Sequence, residues 1–191
     1  MNVGVLALQG DFREHINALS ECGITATAVK TESEIKKLDG LIIPGGESTT
    51  ISKLAKAFDL FDLIKNRIAD GLPTYGSCAG MIMLAKEIKD PASGQLPFGG
   101  IDMVVERNVF GRQVDSFEED LNIKGINGGS FRAVFIRAPW VATLGSEVET
   151  LAEIDGHAVA VREKNVFATS FHPELTHDFR VHKYFIEEVC S

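Results

Sequence analysis

Leu72-Pro73-Thr74-Tyr75-Gly76-Ser77-Cys78-Ala79-Gly80 is an apolar segment running into a cysteine between two small residues, with a glycine two positions away on each side. A helix-like run, residues 81–88, leads out of it. This is the pattern of a nucleophile elbow, a sharp strand-to-helix turn that projects one side chain from the top of a sheet, here with sulfur in place of oxygen. Glycine suits such a turn because a Cβ there would clash with neighbouring backbone. At a helix start, the dipole and the free N–H groups favour thiolate at Cys78. Taken alone, G-x-C-x-G also fits a buried cysteine in an ordinary strand-to-helix turn.

Working outward from the elbow, residues 3–8 form an apolar run ending in Gln9-Gly10 and read as a buried strand. Asp11-Phe12-Arg13-Glu14 has the form of a capping box with Asp11 as the cap. Phe12, Ile16 and Leu19 then share one helical face. Residues 25–29 are β-branched and predict a second strand. Leu41-Ile42-Ile43 predicts a third, ending in Pro44-Gly45-Gly46, and Ser48 or Thr49 is placed to cap the helix that follows. Another helix, residues 60–69, precedes the strand 72–75. Strands alternating with helices predict an α/β fold of three layers, a mostly parallel central sheet with helices on both faces. In such sheets ligands bind beyond the carboxyl ends of the strands. Gln9-Gly10, Gly45-Gly46 and Cys78 all fall there.

After residue 90 the character changes. Residues 90–100 are a loop rich in Pro and Gly. Residues 101–107, 131–136, 150–154 and 158–162 read as short strands without long helices between them, a small antiparallel β excursion on the same domain. Glu153-Ile154-Asp155-Gly156-His157 carries the Asp-Gly signal of a tight hairpin. Residues 166–170 return to the main sheet and 179–189 form a closing helix. Nothing resembles a linker or a repeat, so residues 1–191 are expected to be a single domain.

The net charge of −8, from 27 acidic and 19 basic residues, argues against nucleic acid or an anionic membrane as the main partner. It leaves room for a local basic pocket. Three cysteines, Cys22, Cys78 and Cys190, do not make a disulfide framework, and the first residues lack the features of a signal peptide. A cytoplasmic protein is expected.

A cysteine nucleophile needs a base. His15 and His182 lie inside the first and last predicted helices and His157 at a hairpin, positions that suggest no special role. His172 follows a strand, so it too lies at a carboxyl end, and Pro173 biases it to extended backbone. In an extended segment His172 and Glu174 point to one side. Glu174 can then accept the imidazole N–H while the other ring nitrogen faces Cys78. By itself His172-Pro173-Glu174 also fits a polar turn before the last helix. A metal set of His172, Glu174 and His177 is the weaker reading, because no second ligand cluster supports it. Acyl transfer also needs oxyanion donors. The N–H of Ala79 is one, and the flexible backbone at Gly45-Gly46 can supply the second.

Pro44-Gly45-Gly46-Glu47-Ser48, Gly76-Ser77-Cys78-Ala79-Gly80 and His172-Pro173-Glu174, in this order, resemble a class I (triad) glutamine amidotransferase of flavodoxin-like fold. Leu8-Gln9-Gly10-Asp11-Phe12-Arg13-Glu14-His15, Gly45-Gly46-Glu47-Ser48-Thr49-Thr50, Val105-Glu106-Arg107-Asn108, Phe110-Gly111-Arg112-Gln113-Val114-Asp115-Ser116-Phe117, Phe135-Ile136-Arg137-Ala138-Pro139 and Ser170-Phe171-His172-Pro173-Glu174-Leu175-Thr176 narrow it. These resemble the glutaminase subunits of pyridoxal 5′-phosphate synthase. The resemblance implies hydrolysis of L-glutamine to glutamate and ammonia by Cys78, His172 and Glu174, without cofactor or metal. It implies that Gly46, Glu47 and Ser48 line the glutamine site, that Gly46 and Ala79 form the oxyanion hole, and that Arg107, Ile136 and Arg137 help hold the substrate. It also implies a separate synthase subunit that receives the ammonia within a hetero-oligomer. A thiol hydrolase of similar fold would need neither Arg107 nor Arg137. A non-catalytic binding subunit would not need a complete set of Cys78, His172 and Glu174.

Overall fold

A computed structural model describes residues 1–107 and 116–191. In chain order the elements are β1 (Val3–Leu6), α1 (Phe12–Glu21), β2 (Ala26–Val29), α2 (Glu32–Ile35), β3 (Gly40–Ile43), α3 (Ser48–Ala57), α4 (Phe61–Ala69), β4 (Thr74–Ser77), α5 (Ala79–Leu84) and β5 (Ala85–Ile88). They continue with β6 (Ile101–Glu106), β7 (Ser116–Leu121), β8 (Phe131–Ile136), β9 (Trp140–Leu144), β10 (Glu149–Ile154), β11 (His157–Glu163), β12 (Val166–Thr169) and α6 (Arg180–Tyr184), which runs on into a π-helical segment, Phe185–Val189. A 3₁₀ turn, Pro173–Leu175, follows β12. Among the described residues no helix is long and apolar enough to cross a membrane. Asn108 and the stretch from Phe110 to Asp115, used above for the family resemblance, lie outside the described residues.

The main sheet has the order β10-β11-β12-β4-β3-β1-β2. From β12 to β2 every pair is parallel, as the strand–helix alternation predicts. Its inner strands are buried on both faces, which explains their continuous apolar runs. Val3, Val5, Ile42, Tyr75 and Phe167 pack on one face with Leu19 of α1 and Val181 and Phe185 of the closing helix. Leu41, Ile43 and Ala168 face the other way, toward Ile51 of α3, Ile64 of α4 and Met81 of α5. Helices therefore cover both faces.

The antiparallel part is arranged differently from expectation. β10 and β11 do not belong to a separate excursion; they extend the main sheet through antiparallel pairing with each other and with β12. Asp155 and Gly156 take the expected hairpin, both with positive φ (49° and 78°). The excursion is instead a three-stranded sheet β5-β6-β9 and a two-stranded one, β7-β8. The run 81–88 is not one helix. The helix stops at Leu84, and residues 85–88 pair in parallel with β6, exposing Lys86 and Glu87 and burying Ala85 and Ile88. An apolar run in which helix and strand follow each other directly has no periodicity to mark the break. The strand before the elbow also begins and ends later than expected, at Thr74–Ser77 instead of 72–75, so it feeds directly into Cys78.

Two helix caps differ from the sequence reading. Asp11 occupies the N-cap of α1, but its side chain makes no capping bond. Its carboxylate turns instead toward His172, 3.8 Å from Nδ1. At α3 the cap is Glu47, one residue before the expected Ser48 and two before Thr49. Its carboxylate accepts from Thr49 N at 3.1 Å and Thr50 N at 2.7 Å, meeting the orphan donors of the first turn.

Candidate active site

Cys78 sits between β4 and α5 with φ 47° and ψ −100°. A non-glycine residue at positive φ marks local strain at a position that the surrounding structure must hold. The Cys78 N–H donates to Thr169 O of β12 at 2.8 Å, and Ile82 N–H donates back to Cys78 O at 3.3 Å to start the helix. The flanking glycines have no room for a side chain. A Cβ on Gly76 would lie 2.5 Å from the Gly80 carbonyl carbon, and one on Gly80 would overlap the Ile43 carbonyl of β3. The elbow is thus packed backbone to backbone against its neighbours. Strand alternation and the turn together direct the Cys78 side chain into a cleft of about 300 Å³.

His172 comes to the same cleft from the end of β12. Its backbone N–H donates to Val134 O of β8 at 2.8 Å, and Phe171 before it is fully buried. The segment turns into a 3₁₀ helix instead of staying extended, yet the expected pairing forms: Nδ1 and Glu174 Oε1 are 2.7 Å apart. His172 and Glu174 are both buried. Burial disfavours a charged His172, but bonds to Cys78 and Glu174 outweigh it and raise its pKa to about 10. Burial also raises the pKa of Glu174, against the opposing effect of its bond to His172. Cys78 Sγ lies 3.8 Å from Ile136 O.

The cleft is lined by Asp11, Gly46, Glu47, Ser48, Cys78, Ala79, Ile82, Arg107, Ile136, Arg137 and His172. All the residues selected from sequence for substrate binding therefore meet at one cavity with Cys78 and His172, and Glu174 stands behind the histidine. Arg107 donates to Thr49 Oγ1 and to Asp90 O, both at a long 3.3 Å. Arg137 takes a positive φ of 46° at the cleft wall. Gln9 anchors the loop after β3: its Oε1 accepts from Glu47 N–H at 2.7 Å. A surface cavity of similar size near Arg180 and Tyr184 has neither cysteine nor histidine in its lining.

One ligand atom each of Asp11, His172 and Glu174 falls within 4.8 Å of the others. That set replaces the sequence-derived one, because His177 is exposed. The His172 nitrogen in it is already bonded to Glu174.

Two helix-borne histidines outside the cleft lining have partners at the site. His15 and His182 are fully buried. His15 Nδ1 lies 2.9 Å from His182 Nε2, and His15 Nε2 lies 2.9 Å from Ser77 Oγ and 3.5 Å from Glu174 Oε2. The available signal was position: His15 shares the buried face of α1 with Ala18 and Leu19. His157, by contrast, stacks on Trp140 with ring centroids 3.7 Å apart, away from the cleft.

A model described as the SNO glutamine amidotransferase family matches residues 5–191. A relative from Streptomyces avermitilis named "Pyridoxal 5'-phosphate synthase subunit PdxT" is 57% identical over 187 residues, covering 98% of this chain and 93% of the relative. One of the same name from Rhodococcus opacus is 56% identical over 194 residues, covering 98% and 96%. A solved structure described as "Crystal structure of glutamine amidotransferase" is 52% identical, with a TM-score of 0.91 and 98% of each chain covered. The solved structure of a putative GMP synthase component from Thermoplasma acidophilum, 19% identical with a TM-score of 0.69 over 100% of this chain and 94% of that one, shares the fold.

Proposed function

Since this chain belongs to the SNO glutamine amidotransferase family, we propose that its cleft hydrolyses the side-chain amide of L-glutamine through a thioester on Cys78. The observation that carries the assignment is the Cys78–His172–Glu174 alignment at the carboxyl ends of β4 and β12, with Nδ1 of His172 2.7 Å from Glu174. Cys78 Sγ attacks the amide carbon while His172 holds the thiol proton. The developing oxyanion is met by the backbone N–H groups of Ala79 and Gly46, each such donor contributing about 2.7–4 kcal/mol. His172 returns the proton to the leaving nitrogen, and ammonia departs. Water, deprotonated by the same ring, then attacks the thioester and releases glutamate and the thiol. Glu174 orients the imidazole and stabilises its charged form.

Arg107 and Arg137 suit the substrate's α-carboxylate, since guanidinium groups bind carboxylates in planar, charge-assisted pairs. Glu47, Ser48 and Ile136 line the same cleft.

The relatives' name, a subunit of pyridoxal 5′-phosphate synthase, supports a place in a hetero-oligomer. There this chain supplies ammonia to a separate synthase subunit in the cytoplasm, as one catalytic domain spanning residues 1–191. The test is glutamate release from L-glutamine, measured with and without the synthase subunit. Turnover that the synthase subunit stimulates and Cys78→Ala abolishes is the expected result; no turnover in either condition would overturn the reading.

A further inference from the structure

We infer that His15 and His182 are positioning residues for Glu174, forming a one-way hydrogen-bond relay that runs from His182 through His15 and Ser77 to the carboxylate. This rests on the reading of Cys78, His172 and Glu174 as the catalytic triad.

The direction follows from counting donors. Burial lowers the pKa of His182 to about 4 and that of His15 well below its ordinary value, so both rings are neutral and each carries one N–H. The facing nitrogens, His15 Nδ1 and His182 Nε2, are 2.9 Å apart and share a single proton. If His15 Nδ1 held it, His15 Nε2 would be a bare lone pair 3.5 Å from the buried Glu174 Oε2, and His182 would keep an N–H at Nδ1 with no partner among the described residues. A buried N–H without a partner is the rarer and costlier defect. If His182 Nε2 holds it instead, His15 Nε2–H points between Ser77 Oγ and Glu174 Oε2. The Ser77 hydroxyl is then free to donate toward Glu174 Oε1, 3.5 Å away. In this arrangement Oε2, which has no other partner among the described residues, gains the His15 N–H, and Oε1 gains the Ser77 hydroxyl beside His172.

Such donors matter because burial pushes Glu174 toward its neutral form, and a neutral Glu174 does not stabilise a charged His172. Among the described residues the titratable groups facing Glu174 are His172 of its own segment, Asp11 at the N-cap of α1, His15 from α1 and Tyr75 from β4, with His182 from α6 behind His15. Of these, the relay supplies the neutral donors, which favour the carboxylate without competing for the His172 proton.

Two measurements test the relay. In wild-type protein labelled with ¹⁵N-histidine, imidazole correlation spectra should show His15 and His182 neutral at pH 7, both with the proton on Nε2. A His15 proton on Nδ1, or a charged ring, would overturn the relay, and this readout does not depend on turnover. In glutamate-release assays, His15→Leu should lower kcat about 10-fold to 100-fold, part of what a general base contributes, with KM within about twofold. The acidic limb of its pH profile should move up by about one unit, because Glu174 loses donors. His15→Gln, which returns an N–H near the Nε2 position, should recover most of the rate and the wild-type limb. Equal profiles for His15→Leu and wild type, or no recovery in His15→Gln, would reduce both histidines to packing. A wild type without any turnover would count against the glutaminase reading, and the imidazole spectra would still decide the relay.

Discussion

Gly45 lies against the His172 ring: a Cβ built on Gly45 would overlap the imidazole, 2.7 Å from Nδ1, and lie 3.2 Å from Glu174 Oε1. The oxyanion loop after β3 and the general base after β12 therefore touch without a side chain between them. Gly45→Ala should push the ring off its line to Cys78. A misplacement of about 1 Å costs on the order of 10²-fold in rate, so kcat for glutamate release should fall about 100-fold with an unchanged circular dichroism spectrum. A wild-type kcat would show that the ring can yield without cost.

The strain at Cys78 is testable through stability. Its φ of 47° and ψ of −100° are accessible to glycine and unfavourable for residues with a Cβ, at about 1–3 kcal/mol. Cys78→Ala and Cys78→Gly should both be inactive. In urea titrations the glycine variant should be the more stable by about 1 kcal/mol, despite its greater unfolded-state entropy. If the alanine variant proves equal or more stable, the turn is relaxed.

Among the described residues Arg107 reaches only long, neutral partners, Thr49 Oγ1 and Asp90 O, which suits its guanidinium to a carboxylate. Arg107→Ala should raise KM for glutamine about tenfold, in line with the loss of one charge-assisted bond, and change kcat less than about threefold. An unaltered KM would remove Arg107 from the substrate site.

Part of the acid sensitivity should trace to His182. Its folded-state pKa of about 4 lies below the ordinary 6.5, so the unfolded chain binds a proton that the folded chain refuses. This histidine's stabilisation is complete above pH 6.5 and is lost progressively as pH falls from 6.5 toward 4, at up to about 1.4 kcal/mol per unit for one proton. Denaturant unfolding of wild type and His182→Phe across this range should give curves that converge toward acid. Parallel curves would show that His182 takes up its proton without unfolding.

Much of this was legible in the sequence because the features concerned are local. Leu41-Ile42-Ile43 before Pro44-Gly45-Gly46 marks a buried strand and its turn within a few residues, and Gly76 to Gly80 marks the elbow. His172-Pro173-Glu174 could be assigned a joint role because its two functional groups are neighbours. The features that escaped depend on distant partners. His15 meets Ser77 and His182 across separations of 62 and 167 residues, and nothing inside α1 announces them. β7 has an acidic, mostly exposed sequence, Ser116-Phe117-Glu118-Glu119-Asp120-Leu121, which becomes a strand only through pairing with β8. Glu47 displaced the hydroxyl caps because its longer side chain can curl back onto Thr49 N and Thr50 N.

The contacts of Gly76 and Gly80 reverse the usual guide to which positions tolerate change. The reactive Cys78 faces the cleft, so a serine or alanine there fits and the chain still folds, inert. The chemically silent glycines on either side admit nothing larger, Gly76 being wedged against Gly80 and Gly80 against the Ile43 carbonyl. Survival of folding in a substitution scan would therefore rank the nucleophile as dispensable and its neighbours as essential. Only a scan scored on turnover would restore the true order.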